Sequence, residues 1–565
     1  MATAVAALPL LRHRARIQAK PRKRHFPIEN TIIFGLALAF YIALANYIVF
    51  HLHYQNGDAY ARIDNAFDVL FTSDPHLGAI GFFWPPLPSF LDLPIIAFRG
   101  FWPALVVQGF AGAIEASIFS AGTVVLFNSG LKWAGVVRGM RWVLCAVWMI
   151  NPMTVIYAAQ GMSEALFVFF FVASILVFLR WAESGRGALL PLMGILVGLD
   201  CLCRVEAFFL AFAMGVGVIV MSIRRLEPGG WRRVETEALM FGLPVLLMVG
   251  LWLGSAGVLL RDFLYPFHAG GFTGHASIPQ SAAPSGGSGG GGATGIPSIW
   301  ADAFTYVATH CIALFPAVIA LLLLMIPRFL VQKNRIPTVL VVALGLSIPA
   351  LDVVLRTGAL GPQLGSQLRY QISIIPFTFI LAVYLLRSLK ARFQIYSSML
   401  ALALTVVLGL SNVGTAITLG LPNIAQEEAP LVAAIAGGQT VPDVTGVPDP
   451  ASYGAQITQQ ILALDTDGGR ILCDSRTCFS IVLNAPNPYL FVVTSDRIFE
   501  ASAAQPKVYN VEYFLAANPQ FGQGGIDRLN MLYPSLYEDG AGFATRVGEA
   551  GGYRLYRIVG PTGRG

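Results

Sequence analysis

The chain has 565 residues, of which 55% are hydrophobic and only 12% charged. Soluble domains carry about a quarter charged residues, so the composition excludes a protein that meets water along most of its length. The formal net charge is +6. Its excess basic residues follow the orientation of apolar runs, as set out next, so it carries no argument for nucleic acid as a partner.

A basic arm, residues 1–29, opens the chain with seven Lys/Arg between Arg12 and Arg24. The first apolar run, Thr31–Phe50, is long enough to cross a hydrocarbon core roughly 30 Å thick. With so long a basic arm before it, it reads as an uncleaved anchor rather than a signal peptide ending at Ala43-Leu44-Ala45. Ten further runs lie near 103–128, 140–158, 164–180, 187–203, 205–223, 238–259, 303–326, 337–355, 371–386 and 394–420. Helices satisfy their own backbone hydrogen bonds in lipid. The expected fold class is an α-helical, multi-pass membrane protein with about eleven spans and a small C-terminal α/β domain. The arm and the turns at 132–141, 180–186, 224–233, 328–335 and 387–392 hold 22 of the 37 Lys/Arg. By the positive-inside rule these segments are cytoplasmic. An odd number of spans then places the C-terminal segment outside, on the face that carries the first long loop.

That loop, residues 51–103, begins "NGDAYARIDNAFDVLF", Asn56–Phe71. Ala59, Ile63, Ala66, Phe67 and Leu70 recur with helical spacing. Asp58 after Gly57 has the character of a helix N-cap, and Asp58 with Arg62, like Asp64 with Asp68, shares a face. The continuation "GFFWPPLPSFLDLPIIAF" is too apolar for a solvated loop and too rich in proline for a span, so we expect it in the membrane interface with Trp84 and the phenylalanines at headgroup depth. A second outer loop, 261–299, contains "PSGGSGGGGATG", flexible by composition, and serves either as a gate or as a tether. From about 421 to 565 the composition becomes soluble. There "RILCD", "YLFVVTS", "VEYFLAA" and "GYRLYRIVG" read as strands, "SDRIFEA" as a turn or short helix, and "GIDRLNMLYPSLYEDG" as a helix interrupted at Pro534. Cys473 and Cys478 in this outer segment are a plausible disulfide. Cys145, Cys201, Cys203 and Cys311 sit in or beside spans and form no metal pattern.

Ionisable groups at membrane depth are costly and mark function by default. Glu164 opens the fourth span, Asp200, Arg204 and Glu206 occupy a short outer turn, and Arg369 with Tyr370 begins the tenth span. Each has a bland reading: Asp200 and Arg204 as an i,i+4 pair, Arg369 snorkelling to the surface. Glu115 stands apart, mid-span. Together the outer groups suit a phosphate-bearing lipid, because the guanidinium fork pairs with phosphate oxygens and stays charged.

Three features together resemble the GT-C superfamily of integral-membrane glycosyltransferases: the loop aspartate, "NPMTVIYAAQGMSEALF" with the turn "RVE", and the late "RY". The closest likeness is to the branches of the bacterial protein O-mannosyltransferase relatives and the lipid A aminoarabinose transferases. The Asn-Pro stretch is also similar to mannosyltransferases of glycolipid-anchor synthesis. The resemblance covers about residues 30–420. It implies inverting transfer from a polyprenyl-phosphate sugar to an extracytoplasmic glycan, lipid or protein acceptor, among membrane lipids and without a cofactor. It further implies Asp58 as general base, Arg204 and Arg369 neutralising the leaving phosphate, and Arg62, Asp64, Glu164, Glu206 and Tyr370 holding donor or acceptor. Asp58 is followed by Ala59 where many members carry a second acid, so no metal is expected. The competing readings are a lipid or sugar-lipid transporter, for which the sequence offers no internal repeat, and a non-catalytic scaffold.

Overall fold

The computed structural model describes residues 28–82, 84–225, 230–265, 296–332, 335–356, 367–390, 394–445, 449–464, 469–520 and 527–563. The basic arm up to residue 27 and the glycine-rich stretch 266–295 lie outside the described residues.

Among the described residues, eight helices are long and apolar enough to cross a membrane: Ile28–His51, Phe110–Ala134, Glu164–Ser184, Ala207–Arg224, Trp231–Leu260, Ile336–Val354, Leu368–Ser388 and Ser398–Leu419. Two bent pairs raise the number to ten. Arg138–Met149 and Pro152–Ala159 meet at 66°, where the Asn151 side chain caps Thr154 N–H and Pro152 takes the first helical turn. Trp300–Ile312 and Ala317–Val331 meet at 99°. Pro316 disfavours helix at the residue before it, and the break falls there.

Ten of the eleven expected spans therefore have a counterpart. The exception, near 187–203, becomes the 13-residue helix Leu189–Cys201, about 20 Å long at 1.5 Å per residue and short for a span. It nevertheless returns to the level at which Glu164–Ser184 begins, because Arg204 just beyond its end is bonded to Glu164. The second span also starts later than expected. Pro103 and the left-handed Gly109 (φ +62°) keep residues 97–109 in short turns, and the long helix begins at Phe110. Glu115 thus lies in its second turn, near the other ionisable residues, and not mid-span.

The first loop forms the amphipathic helix Gly57–Phe71. Its cap is Asn56, whose side chain accepts from Asp58 N–H at 2.9 Å, and not Asp58 as expected. The carboxylate of Asp58 is therefore free of capping duty. After it comes the short apolar helix Leu87–Ile96. Of the stretch expected in the interface, Phe98 is exposed, but Phe82 is buried against Trp252 and Trp84 lies beneath Arg62.

The C-terminal segment folds into a five-stranded sheet of order β2-β1-β3-β5-β4. The strands are β1 (Arg470–Cys473), β2 (Phe491–Val493), β3 (Val511–Ala517), β4 (Ala544–Ala550) and β5 (Tyr553–Ile558). β1 pairs in parallel with β2 and β3, while β5 runs antiparallel between β3 and β4. Helix Ser475–Asn484 connects β1 to β2, and a Cys473–Cys478 disulfide ties its first turns to β1. All four expected strands form. β4 was missed, although Gly551-Gly552 (φ +52° and +84°) supplies the two positive-φ residues of a primed hairpin turn. The helix expected over 525–540 divides into Arg528–Leu532 and Leu536–Asp539 around Pro534.

This domain sits on the loop helix. Ser495 donates to Asp68 Oδ2 at 2.7 Å, Ser73 donates to Asp496 Oδ2 at 2.6 Å, Arg497 pairs with Asp74, and Phe479 packs edge-on against Tyr60 at 5.4 Å. The polar face of the amphipathic loop helix is therefore as buried as its apolar face: Asp64 and Asp68 are 7% and 2% exposed. Burial pushes the Asp68 carboxyl up to about 8, against the opposing hydrogen bond from Ser495. A carboxyl held above its unfolded value of roughly 3.9 stabilises the folded state fully below that value. The contribution is lost as pH rises through the folded value. We therefore expect Asp68→Asn to leave thermal stability nearly unchanged at about pH 3.5 and to raise it increasingly over the native chain from there to about pH 8, measured by unfolding of the purified protein in detergent.

Candidate active site

Four chain segments converge at the base of the loop helix. The turn Gln160–Ser163 precedes the span beginning at Glu164; the turn after Cys201 carries Arg204 and Glu206; the short 3-10 turn Leu368–Gln371 carries Arg369 and Tyr370; and residues 425–428 follow the last span. Gly161 sets the first of these. Its φ is +76°, and a Cβ there would meet Gly112 C at 2.8 Å and Ala113 N at 3.0 Å, so the turn lies directly on the backbone of helix Phe110–Ala134. Gln371 fastens the third by donating to Asp352 at 2.5 Å, and Tyr306 donates to the same carboxylate oxygen at 2.8 Å.

At the centre is Glu164, whose side chain is 0% exposed. Arg204 donates to its Oε1, and Arg369 approaches the same oxygen to 3.9 Å. A buried carboxylate with two guanidinium groups is tolerable because opposite charge replaces the lost water. The guanidinium groups carry the pattern outward. Arg204 donates to Glu206 Oε1 at 2.7 Å, while Arg369 reaches Asp58 Oδ2 at 2.7 Å and Glu427 Oε2 at 3.5 Å. Both lie over the Tyr370 ring, at 5.2 and 5.5 Å from its centroid. Asp58 is the outermost member, its side chain 42% exposed, so the cluster grades from a dry core to an accessible rim.

Arg62 lies on the other side of this cluster, 7% exposed. It donates to Ser163 Oγ at 3.3 Å and covers Trp84 at 4.9 Å. Burial pushes its guanidinium below the ordinary value, with the charges of Asp58 and Glu164 opposing. Seven of the eight expected site residues thus come together: Asp58, Arg62, Glu164, Arg204, Glu206, Arg369 and Tyr370. Asp64 does not join them. It points to Asp68 and the C-terminal domain, and burial raises its carboxyl well above the usual range, the neighbouring Asp68 adding to the effect. Asp200 forms no i,i+4 pair with Arg204, which is taken by Glu164 and Glu206.

Sequence reasoning missed Glu427 and Glu428. Glu427 faces Arg369, and burial pushes its carboxyl up to about 7 although Arg369 works against this. Glu428 accepts from the Tyr157 hydroxyl. Their signal was an acidic pair in "AQEEAP", a few residues past the outer end of the last span. Beside Glu164 a small cavity is lined by Ser120, Thr123, Thr154 and Tyr157 together with apolar residues such as Trp148 and Val168.

The sequence matches no protein-family model, and no curated protein matches it. The solved structures that share its fold include two of ArnT. ArnT from Cupriavidus metallidurans bound to undecaprenyl phosphate superposes with a TM-score of 0.50 at 12% identity, over 93% of this chain and 97% of that one. ArnT from the same organism in the apo state gives 0.51 at 11% identity, with the same coverage. Agreement over most of both chains bears out the fold expected from the sequence: a multi-pass, predominantly helical fold like that of ArnT, with a small C-terminal sheet domain.

The arrangement depends on Gly161, which gives a prediction. Gly161→Ala combines a left-handed alanine with a backbone collision, together about 2 kcal/mol or more. It should lower the unfolding temperature of the purified protein and displace Ser163 and Glu164, whereas Gly57→Ala, with open space around its Cβ position, should not.

Proposed function

We propose that the protein is a membrane glycosyltransferase that moves a sugar from a polyprenyl-phosphate donor to an acceptor on the extracytoplasmic face. One observation carries the reading: the Asp58 carboxylate stands at the rim of the cluster, 2.7 Å from Arg369. A base and a phosphate-binding cation are thereby adjacent in a fold shared with a protein whose structure holds undecaprenyl phosphate.

The chemistry follows from the geometry. The donor phosphate is an anion that competes with Asp58 for Arg369, and the planar guanidinium can hold two of its oxygens. Once Arg369 turns to phosphate, the Asp58 carboxylate is left without its counter-ion beside the acceptor hydroxyl. The hydroxyl oxygen attacks the anomeric carbon from the face opposite the phosphate, and its proton passes to Asp58. The bond between that carbon and the phosphate oxygen breaks. The electron pair leaves with the polyprenyl phosphate, where Arg369 meets the developing charge. The configuration at the anomeric carbon is inverted. Arg204, gripped by Glu164 and Glu206, positions Tyr370 and Arg369 behind the phosphate. A hexosyl group of mannosyl type is our reading for the sugar, on the sequence resemblance alone. The N-terminal arm is cytoplasmic in this reading, and the C-terminal domain lies on the acceptor side. Residues 30–420 form the catalytic unit.

Asp58→Asn should abolish transfer from a polyprenyl-phosphate sugar while membrane expression and undecaprenyl phosphate binding persist; full transfer by this variant would refute the mechanism. Glu427 competes with the phosphate for Arg369 when ionised. Glu427→Gln should therefore tighten undecaprenyl phosphate binding about threefold to tenfold at pH 8. The advantage should shrink as pH falls through about 7, where the native carboxyl takes up its proton.

A further inference from the structure

A second polar cluster adjoins the first, between the loop helix Gly57–Phe71, the short helix Leu87–Ile96 and the first turns of Phe110–Ala134. Asp92 is 1% exposed and Glu115 3%. Asp92 Oδ1 and Glu115 Oε1 have no hydrogen-bond partner among the described residues. Arg62 feels the charge of both, yet it forms an ion pair with neither. Its Nε and Nη1 have no hydrogen-bond partner among the described residues. Among the described residues, Asp200, 0% exposed, has no hydrogen-bond partner for either carboxyl oxygen, and Glu164 has none for one of its oxygens. Cys203, three residues after Asp200, packs in one buried cluster with Ala116 and Ala165, the chain neighbours of Glu115 and Glu164, so these groups border one small region.

Buried polar groups are normally hydrogen-bonded, and a concentration of unmatched ones asks for a ligand. The chemistry narrows the ligand's class. A phosphate only accepts hydrogen bonds and would meet two acids. A cation would meet the Arg62 guanidinium. A hydroxyl both donates and accepts, so a ring bearing several of them satisfies carboxylates and guanidinium at once. The Trp84 ring under Arg62 offers the flat apolar wall that accompanies such polar groups in small-molecule sites. The position agrees as well, because Arg62 also feels Asp58 and Glu164. A ring held by Arg62 therefore lies beside the base and the phosphate-binding arginine, where the anomeric carbon must be.

We propose that Asp92, Glu115 and Arg62 form the subsite for the sugar ring of the donor, reading its hydroxyls. This rests on the glycosyltransferase reading and adds the residues that select the sugar. A site built to hydrogen-bond a hydroxyl discriminates strongly against an analogue that lacks or misplaces it, because its own buried groups are then left unmatched.

The test is equilibrium binding to the purified full-length protein in lipid nanodiscs, read by tryptophan fluorescence. The probes are undecaprenyl phosphate and undecaprenyl phosphates carrying hexoses or pentoses epimeric at single ring carbons. At least one sugar lipid should bind about tenfold or more tightly than the bare lipid. Asp92→Asn and Glu115→Gln should each remove most of that gain while the bare lipid stays within about twofold. Where Glu115→Gln fails to fold, Asp92→Asn, on the peripheral helix, decides alone. Retention of the gain in the variants, equal loss for both lipids, or no sugar lipid exceeding the bare one overturns the subsite. Failure of the native protein to bind the bare lipid overturns the glycosyltransferase reading and the subsite with it.

Discussion

A carboxylate with no access to water cannot remain charged without opposite charge at contact distance, and Glu164 meets that requirement with Arg204 and Arg369. The two arginines come from different parts of the chain, one from the turn after Cys201 and one from the 3-10 turn that opens the span Leu368–Ser388. Satisfying Glu164 therefore fixes where those span ends sit relative to the start of Glu164–Ser184. Gly161 lets the turn before Glu164 lie on the backbone of Phe110–Ala134, which adds a fourth span end. Much of the architecture at this level serves to deliver charge to one point.

The charge is then handed outward in steps of decreasing burial. Glu164 holds the inner arginines, Arg369 holds Asp58, and Asp58 meets solvent. Such a gradient suits the proposed transfer, in which a lipid-borne phosphate competes with Asp58 for Arg369. The inner ion pairs are preorganised in low dielectric and need no reorganisation as charge develops, whereas the outer pair is exchangeable. Arg62 faces the other way, toward Asp92 and Glu115, so three arginines of one cluster have different tasks. Arg204 is committed to carboxylates, Arg369 is shared with an exposed one, and Arg62 has donors unmatched.

The C-terminal domain closes the loop helix from above through Ser495, Asp496 and Arg497. The helix that carries Asp58 is thereby held on one side by span ends and on the other by a soluble sheet. This explains why most of the polar face of an amphipathic helix is dry: Asp64 and Asp68 are buried under the domain, and Asp58 at the helix start stays exposed. The family resemblance implies Asp64 among the residues that hold donor or acceptor. Asp64 points the opposite way from Asp58 because six residues along a helix span more than one and a half turns.

Periodicity and composition by themselves determined the helical membrane class, nearly all the spans, four of five strands and most members of the charged cluster. Each of these rests on local physics: an apolar run long enough for lipid, a strand's alternation, or an ion that lipid makes expensive. What the sequence could not carry was partnership. Nothing in the spacing of Arg204 says that it prefers Glu164, 40 residues away, to Asp200, four away. The same holds for Glu427 beside Arg369 and Asp92 beside Glu115. Ion pairing in a dry interior is decided by which side chains the packing brings within reach. That choice belongs to the tertiary structure, where burial makes each contact strong enough to matter.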